Sequence, residues 1–349
     1  MAGVLSGLVN RAPVDVGTWR GFWDRLHAGR LHRGEAAAVL ASLSTRMPDP
    51  ATLAALLDSL DERRPRPAAR FAGAVNIVGT GGGPRTVNIS TAAALVAAAQ
   101  GVPVIKTGSR GYSGGVGSFD LLDRLGIPLL DSHEAVGEAL ARCGVAFAGY
   151  FVYPAEVALL VRAVAPLDIR TLGRFVNAVG PFLADVPVPV QLTGVADAAR
   201  RPALAALARR ECRRAPGGRR IWLCDNDLGA DELVSFAGNA LHPPDGAAPV
   251  PLPAGAVAPA GGDLADLAPA ADPASVVGRF RALLAGEAPP AAVRTVCLNA
   301  AVLAALAGGG PPSPDGLRSA YAGSVEVVTG GHALRLLDRV AATVGARGA

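Results

Sequence analysis

Residues 75–91 read VNIVGTGGGPRTVNIST, and this stretch decides the fold class. The β-branched residues at its start predict a short buried strand, and the glycines of Gly79–Gly83 predict a tight turn. The alanine-rich run that follows Asn88, Ser90 and Thr91 predicts a helix. Closely spaced glycines let the backbone approach an anion, and the free N–H groups of a helix start donate to it. The stretch therefore predicts a phosphate or diphosphate site, with a purely structural turn as the alternative.

Two further units of strand and helix follow this stretch. Residues 102–106 and 145–150 are predicted strands, and residues 119–125 and 134–143 are predicted helices. Strands that alternate with helices indicate an α/β fold with a mostly parallel central sheet. Ligands of such sheets bind at the carboxyl ends of the strands.

A second glycine-rich loop, TGSRGYSGGVGS at residues 107–118, contains five glycines and three serines. Lys106 and Arg110 add two positive charges to it. Ordering such a loop costs conformational entropy, and contacts with a ligand or with a neighbouring segment must offset that cost. Because loops after neighbouring parallel strands meet at one edge of a sheet, the sequence predicts one shared anion site. Two unrelated surface turns are the alternative.

Carboxylates follow a later predicted strand. Residues 225–232 read DNDLGADE and come directly after residues 221–224, which are predicted to be a strand. Adjacent carboxylates suit Mg²⁺, which keeps several waters and bridges substrate phosphates. An ordinary acidic helix start, favoured by the helix dipole, explains the same pattern. Spacing alone leaves both interpretations open.

The predicted elements group into two domains. The expected small helical domain comprises residues 1–70 and helices from about 165–200, and the expected α/β domain comprises residues 71–164 and 201–349. Residues 243–272, rich in Pro, Ala, Gly and Asp, fit either an irregular β excursion or a mobile surface segment.

Composition excludes several classes of protein. Half of the 349 residues are hydrophobic and 18% are charged, which excludes a disordered or fibrous chain. The longest apolar run, residues 92–105, falls short of the roughly 20 residues that cross a bilayer, so a cytoplasmic location is expected. The four cysteines show no metal-binding spacing and are predicted to be free thiols. The net charge of +4 is compatible with an anionic substrate and does not demand a nucleic acid.

The quoted stretch resembles the diphosphate-binding signature of the anthranilate phosphoribosyltransferase family, which reads GTGGD followed by NIST. KTGSRGYSGGVGS at residues 106–118 resembles the family's KHGNR…SG-S loop, and LGADELVSF at residues 228–236 resembles its magnesium-binding DELS segment. DIRTLGRFVNAVGPF at residues 168–182 is similar to its IRT…N-LGP stretch, and an LLAGE…LNAA pattern follows near the C-terminus. These matches occur in the family's order and span residues 15–340.

The resemblance implies the fold that this family shares with pyrimidine nucleoside phosphorylases, a homodimer formed through the helical parts, the donor 5-phosphoribosyl 1-diphosphate (PRPP), and Mg²⁺. It implies a donor site at Gly79, Thr80, Gly81, Gly82, Asn88, Ser90, Thr91, Lys106, Gly108, Ser113 and Ser118. It implies a metal site at Ser90, Asp231 and Glu232. The acceptor side is expected at Ser109, Arg110, Tyr112 and Arg170. No residue is assigned as a catalytic acid or base.

Two motifs depart from the family's pattern. Gly83 stands where the family has an aspartate, and the loop before NIST is one residue shorter. Thr107 and Ser109 replace the histidine and the asparagine of KHGN, which line the acceptor side in the family. The donor motifs are thus largely retained while the acceptor positions are altered.

A third departure concerns the carboxylate of the acceptor. The positions aligned with the family's Arg-Arg pair, which clamps the anthranilate carboxylate, are Val164 and Ala165. Arg162, Arg170 and Arg174 are candidates to replace that pair. The sequence therefore predicts a phosphoribosyltransferase of specialised metabolism that acts on an aromatic or heterocyclic acceptor other than anthranilate.

Two other functions fit parts of the sequence. Lys106 and Ser113 also suit a nucleoside phosphorylase, although Asp231 and Glu232 are a feature of diphosphate-metal sites. Residues 209–220, RRECRRAPGGRR, contain six arginines that a nucleic-acid-binding paralogue could use. A solvated helix end explains the same run, and no interleaved aromatic residues support base stacking. A nucleic-acid partner is therefore not expected.

Overall fold

The computed structural model describes residues 3–64, 70–111, 115–167, 172–215, 218–310 and 312–345. Three residues of the predicted site, Tyr112, Ser113 and Arg170, lie outside these ranges.

A seven-stranded sheet forms the centre of the molecule. Its strands are β1 (Val75–Gly79), β2 (Val104–Lys106), β3 (Val145–Phe147), β4 (Val190–Gly194), β5 (Arg220–Asn226), β6 (Asn239–His242) and β7 (Val250–Leu252). They lie in the order β3-β2-β1-β4-β5-β6-β7. Strands β1 to β5 are parallel, and β6 and β7 add an antiparallel edge. The predicted α/β fold with a mostly parallel sheet is confirmed.

Strand β1 lies where the chain order reverses. Val75 pairs with Val104 of β2 on one side and with Val190 of β4 on the other. The chain runs from β1 through β2 to β3 in one direction across the sheet and then crosses back from β3 to β4 on the other side of β1, and such a reversal places a crevice at the carboxyl ends of the strands. Both predicted glycine loops begin at this edge.

Helices cover both faces of the sheet. They are α1 (Val4–Asn10), α2 (Val16–His27), α3 (Arg33–Thr45), α4 (Pro50–Asp61), α5 (Ile89–Ala99), α6 (Ser118–Arg124), α7 (His133–Cys143), α8 (Ala155–Ala163), α9 (Arg174–Leu183), α10 (Arg201–Arg214), α11 (Val276–Ala285), α12 (Pro290–Ala307), α13 (Pro314–Thr329) and α14 (His332–Gly345). Side-chain oxygens of Asp15, Asp49, Ser132 and Ser313 accept from backbone N–H groups at four helix starts, where those groups lack a partner within the helix.

The main core surrounds α5. Every residue from Thr91 to Ala98 on this helix is buried, and all of them except Thr91 are alanine, leucine or valine. The helix packs on the sheet and on α12 and α14. Small side chains allow that close approach on several sides. The apolar run that follows the first glycine loop is therefore a central core helix.

A second core lies among the N-terminal helices. Trp19, Phe22 and Trp23 of α2 are buried and in mutual ring contact, and they share an apolar cluster with Leu160 of α8 and Phe175 of α9. Helix α8 therefore packs with the helical layer, whereas the sequence assigns residues up to 164 to the α/β part. The wider division into two domains stays a prediction.

Helix α12 is long and apolar enough to span a membrane by length and composition, with 67% of its 18-residue window buried inside the protein. It packs on α5 and α13 in the main core. Such burial is typical of a core helix.

The excursion at residues 243–272 contains β7 and a series of turns. Leu267 is fully buried, and its carbonyl oxygen accepts a hydrogen bond of 2.8 Å from the N–H of Val87. Residues 243–272 thus contact the first glycine loop. Of the two alternatives that the sequence left open, the structure has the irregular β excursion.

Candidate active site

A cavity of about 1000 Å³ lies at the carboxyl ends of β1 and β2. Glycine loops and charged residues form one side, and helices α8 and α9 form the other. This volume is at the upper end of the range for small-molecule sites, so it can hold two substrates together.

The first glycine loop is shaped by close backbone contacts. Gly81 and Gly82 have φ angles of 67° and 92°, in the left-handed region that favours glycine. A Cβ atom on Gly79 would lie 2.0 Å from Oδ2 of Asp231, so only glycine fits there. The N–H of Gly81 donates to the same oxygen at 2.7 Å. The loop and the acidic segment therefore form one unit.

Gly83, which stands in place of the family's aspartate, touches the same acidic segment. A Cβ atom on Gly83 would lie 2.4 Å from the carbonyl oxygen of Gly229. An aspartate there would require residues 229–231 to move. The glycine loop and residues 229–231 can therefore pack this closely because residue 83 has no side chain.

The start of α5 joins the two glycine loops. Nδ2 of Asn88 donates to the carbonyl oxygen of Val116 in the second loop at 3.1 Å. Asn88 and Ser90 line the cavity. Thr91 is fully buried behind them, outside the cavity lining, and its Oγ1 has no hydrogen-bond partner among the described residues.

Lys106 brings a buried positive charge to the cavity. Its side chain is only 3% exposed, and Nζ donates to the carbonyl oxygen of Thr107 at 2.9 Å. Burial lowers the pKa of Lys106 from 10.5 to about 8, against the opposing effect of the carboxylates of Asp231 and Glu232. In the part of the chain that the structure describes, no carboxylate pairs with this ammonium group, which is therefore available to an anionic ligand.

Asp231 and Glu232 are suited to hold a cation. Burial raises the pKa of both carboxyl groups. Oε1 of Glu232 accepts from Oγ1 of Thr86 at 3.0 Å, whereas Oε2 is buried without a partner among the described residues. A buried, unpaired carboxylate oxygen is costly unless a cation or a donor satisfies it. No group of three metal-ligating side chains occurs within the described ranges, so Mg²⁺ here would need substrate oxygens or water to complete its shell.

The second loop is closed by an aspartate of α6. Oδ2 of Asp120 accepts from the N–H groups of Gly111 at 2.7 Å and Gly117 at 3.0 Å. Arg110, an expected acceptor residue, lines the cavity but pairs with Asp120 and Asp123. Its charge therefore stabilises the base of the loop.

Thr107, which replaces the family's histidine, points away from the cavity. Its N–H and Oγ1 bond to the side chain of Asn76 on β1, and it is fully buried. The neighbouring Gly108, Ser109 and Ser118 do line the cavity. The altered motif thus supplies no ring at this point.

The opposite wall of the cavity is mostly apolar. It comprises Phe151, Ala155, Val157, Ala158, Val161, Val176, Gly180, Pro181 and Leu183. Arg162 of α8 lies on this wall, is exposed, and has no ion-pair partner among the described residues. Val164 is buried in the helical core and Ala165 is exposed, and neither of these positions, which align with the family's arginine pair, lines the cavity.

One cavity therefore unites most of the predicted residues. These are Gly79, Thr80, Gly81, Gly82, Asn88, Ser90, Lys106, Gly108, Ser109, Arg110, Ser118, Asp231 and Glu232. Sequence reasoning does not single out Tyr150, Tyr153 or Asn177, which also line it. The position of Tyr150 shortly after β3 is a usable signal, because ligands bind at the carboxyl ends of parallel strands.

The arginine run at residues 209–220 is largely engaged in internal contacts. Arg210 is buried and pairs with Asp58, Asp61 and Glu211, and Arg214 pairs with the same two aspartates. These charges stabilise the packing of α10 on α4. The run thus has a structural role that does not require a nucleic acid.

The chain matches the model of a family described as "Glycosyl transferase family, a/b domain" over residues 72–334. It is 32% identical to the anthranilate phosphoribosyltransferase of Methylobacterium nodulans over 92% of this chain and 91% of that protein. The crystal structure of anthranilate phosphoribosyltransferase from Thermus thermophilus superposes with a TM-score of 0.74 at 28% identity, covering 99% of both chains. The Saccharomyces cerevisiae enzyme in complex with PRPP and Mg shares the fold, with a TM-score of 0.68 at 20% identity over 95% of this chain and 98% of that one.

The fold and the matched family model define a glycosyltransferase. Within that class, the chain belongs to the anthranilate phosphoribosyltransferase family, and it is a phosphoribosyltransferase.

Proposed function

We propose that this enzyme transfers the phosphoribosyl group of PRPP, with Mg²⁺, to an aromatic or heterocyclic acceptor other than anthranilate. The observation that carries the proposal is the union of two glycine loops, Lys106 and a carboxylate pair with an apolar wall in one cavity. A sugar diphosphate needs the charged side, and a ring needs the apolar side. The related enzyme from S. cerevisiae was solved with PRPP and Mg bound.

The donor groups of this chain match a sugar diphosphate. The loop N–H groups and the start of α5 supply hydrogen-bond donors, and Lys106 supplies a charge beside them. Asp231 and Glu232 would hold Mg²⁺, which neutralises diphosphate charge when it is bound. The unpaired Oε2 of Glu232 is the structural support for that role.

The chemistry asks for positioning and charge stabilisation. The bond between C1 of the ribose and the diphosphate breaks with its electron pair leaving on the diphosphate. A lone pair of the acceptor forms the new bond to C1, and the acceptor atom then releases its proton to water. Positive charge develops on the sugar as the diphosphate gains negative charge. The glycine loops and Lys106 stabilise the departing anion, and the apolar wall holds the acceptor and excludes water.

The acceptor side supports a ring that differs from anthranilate. Thr107 and Ser109 replace the family's histidine and asparagine, and Thr107 turns into the sheet. Arg162 lies on the apolar wall and carries a positive charge. An acceptor with an anionic group, or with a strong hydrogen-bond acceptor, therefore fits this wall best. Because Arg162 could pair with a carboxylate, the turnover of every other acceptor has to be compared with that of anthranilate.

Two measurements test the proposal. Calorimetry should show that PRPP binds with Mg²⁺ and binds far more weakly when Mg²⁺ is removed with a chelator. Diphosphate release should then be measured with anthranilate, its ring isomers, and amino- or hydroxy-substituted heterocycles. We expect turnover with one of the other rings at a kcat/KM above that of anthranilate.

Three results would contradict it. Lack of PRPP binding would remove the donor assignment, and faster turnover of anthranilate than of every other ring would remove the acceptor assignment. Phosphate-dependent release of bases from nucleosides would identify a phosphorylase instead. The expected homodimer, cytoplasmic location and role in specialised metabolism stay predictions.

A further inference from the structure

An exposed aromatic ring lines the cavity just beyond β3. Tyr150 is 54% exposed and lines the cavity. Two other aromatic side chains among the described lining residues, Phe151 and Tyr153, are partly buried, and the hydroxyl of Tyr153 donates to the carbonyl oxygen of Gly108 at 2.9 Å. Tyr150 is thus the most exposed aromatic ring among the lining residues that the structure describes.

The backbone fixes the position of this ring. The N–H of Ala148 donates to the carbonyl oxygen of Lys106 at 3.0 Å, and the N–H of Gly149 donates to that of Leu130 at 2.8 Å. A Cβ atom on Gly149 would lie 2.6 Å from the oxygen of Leu130, so glycine is required for this contact. Tyr150 then begins a short 3₁₀ turn. The ring therefore stands on rigid backbone at the edge of the sheet.

The ring is also held from one side. Phe119, buried in the first turn of α6, meets Tyr150 with ring centroids 5.1 Å apart and planes at 89°. In a perpendicular pair, whichever ring presents its edge, at least one face of Tyr150 stays free of Phe119. Two χ angles leave a packed tyrosine little freedom to lose on binding, which favours it as a contact surface.

We propose that Tyr150 is a specificity-determining residue that stacks on the ring of the acceptor. The inference rests on the proposed function, since it names the surface that selects planar aromatic or heteroaromatic acceptors. Offset stacking of two rings is favourable beyond the area it buries. An aliphatic amine of similar size gains none of this and binds more weakly.

Three substitutions separate stacking from simple bulk. Tyr150→Phe keeps the ring, Tyr150→Leu keeps apolar volume without a ring, and Tyr150→Ala removes both. We expect the KM for the aromatic acceptor to stay within about threefold in Tyr150→Phe and to rise roughly tenfold in Tyr150→Leu and more in Tyr150→Ala. The Kd for PRPP with Mg²⁺ should stay unchanged in all three. Leu264→Ala, which removes an exposed apolar side chain outside the cavity, is the matched control and should change neither constant.

The outcomes are distinct. A wild-type KM for the acceptor in Tyr150→Leu would overturn the inference, whatever the KM in Tyr150→Ala, because apolar volume without a ring would then be sufficient. An equal rise of the PRPP Kd and the acceptor KM would also overturn it, since Tyr150 would then act only by supporting the second loop. If the wild-type enzyme binds PRPP but releases no diphosphate with any aromatic ring, the proposed function itself fails, and this inference fails with it.

Discussion

The N–H of Gly81 donates a hydrogen bond of 2.7 Å to Oδ2 of Asp231. A backbone donor of the first glycine loop therefore binds a carboxylate of the protein itself. Residues that are 150 positions apart in sequence thereby meet in the proposed donor site. The loop and the candidate metal ligands should respond together to substitution. The first prediction follows from this coupling.

Removing either carboxylate should weaken the binding of PRPP in the presence of Mg²⁺. We expect Asp231→Asn and Glu232→Gln to raise the Kd roughly tenfold or more, because a charge-assisted contact is worth about 1.5–3 kcal/mol. Calorimetry with and without Mg²⁺ checks this. Asp263→Asn, on an exposed turn outside the cavity, is the control. Equal loss of affinity with and without Mg²⁺ would show that the two carboxylates serve only the loop.

Restoring the family's aspartate at Gly83 should harm this enzyme. The new Cβ atom would meet the carbonyl oxygen of Gly229 at 2.4 Å, so Gly83→Asp should lower the melting temperature and weaken PRPP binding. Thermal unfolding and calorimetry measure both effects. Gly21→Ala, whose Cβ atom would meet nothing within 4 Å, should leave binding unchanged and stability equal or about 0.5–1 kcal/mol higher. Improved activity in Gly83→Asp would refute the steric argument.

The ammonium group of Lys106 should titrate near neutral pH. Lys106 is the only lysine in the chain, so ¹⁵N labelling of lysine gives a single side-chain NMR signal. We expect a pKa of about 8 in the free enzyme, lowered from 10.5 by burial. Because bound diphosphate favours the charged form, PRPP should raise this pKa, and the affinity for PRPP should fall as the pH rises through about 8. A pKa that stays near 10.5 in the folded enzyme would contradict the prediction.

Arg162 should matter to the acceptor and not to the donor. We expect Arg162→Gln to raise the KM of an anionic acceptor roughly tenfold or more, since it removes a charge-assisted contact. The Kd of PRPP should not change. Arg46→Gln, an exposed arginine at the end of α3 and outside the cavity, is the control for lost surface charge. Steady-state kinetics with a neutral and an anionic acceptor would show no difference if Arg162 lacks this role.

The buried ion pairs of Arg210 should stabilise the fold. Arg210→Met would remove the buried cation that Asp58, Asp61 and Glu211 share. Because Arg214 still pairs with both aspartates, we expect a cost of about 1.5–3 kcal/mol in the free energy of unfolding. Denaturant unfolding measures this change. Arg209→Met, the adjacent arginine on α10, should change the free energy of unfolding by less than about 1 kcal/mol. Similar values for the two variants would show that the ion pairs are not important to stability.

The donor side can be predicted because its chemistry is local in sequence. A glycine loop directly after a β-branched strand, with a helix start behind it, indicates an anion site at Gly79–Gly83, with a structural turn as the alternative. Asp231 and Glu232 are assigned as metal ligands only through the resemblance to the family, because their spacing also fits an acidic helix start. The contact of Asp231 with Gly81 cannot be predicted, because pairing across such a separation in sequence is decided by the sheet order.

The acceptor side cannot be predicted to the same depth. The family's arginine pair aligns with Val164 and Ala165, neither of which lines the cavity, whereas Arg162 does. The position of Tyr150 after β3 is a signal that the sequence carries, but the exposure of its ring in the cavity is known only from the structure. Helix α13 is also not predicted, since Gly316, Gly323 and several β-branched residues lower its intrinsic propensity while packing on α12 stabilises it.

The hydrogen bond from Asn88 to the carbonyl oxygen of Val116 has a kinetic consequence. A diphosphate bound against the start of α5 would contact a residue that is already bonded to the loop bordering the acceptor wall, so we expect the binding of PRPP to strengthen the binding of the acceptor. Turnover should follow a compulsory order in which PRPP enters first, and initial-rate patterns should show the acceptor binding only to the enzyme that already carries the sugar.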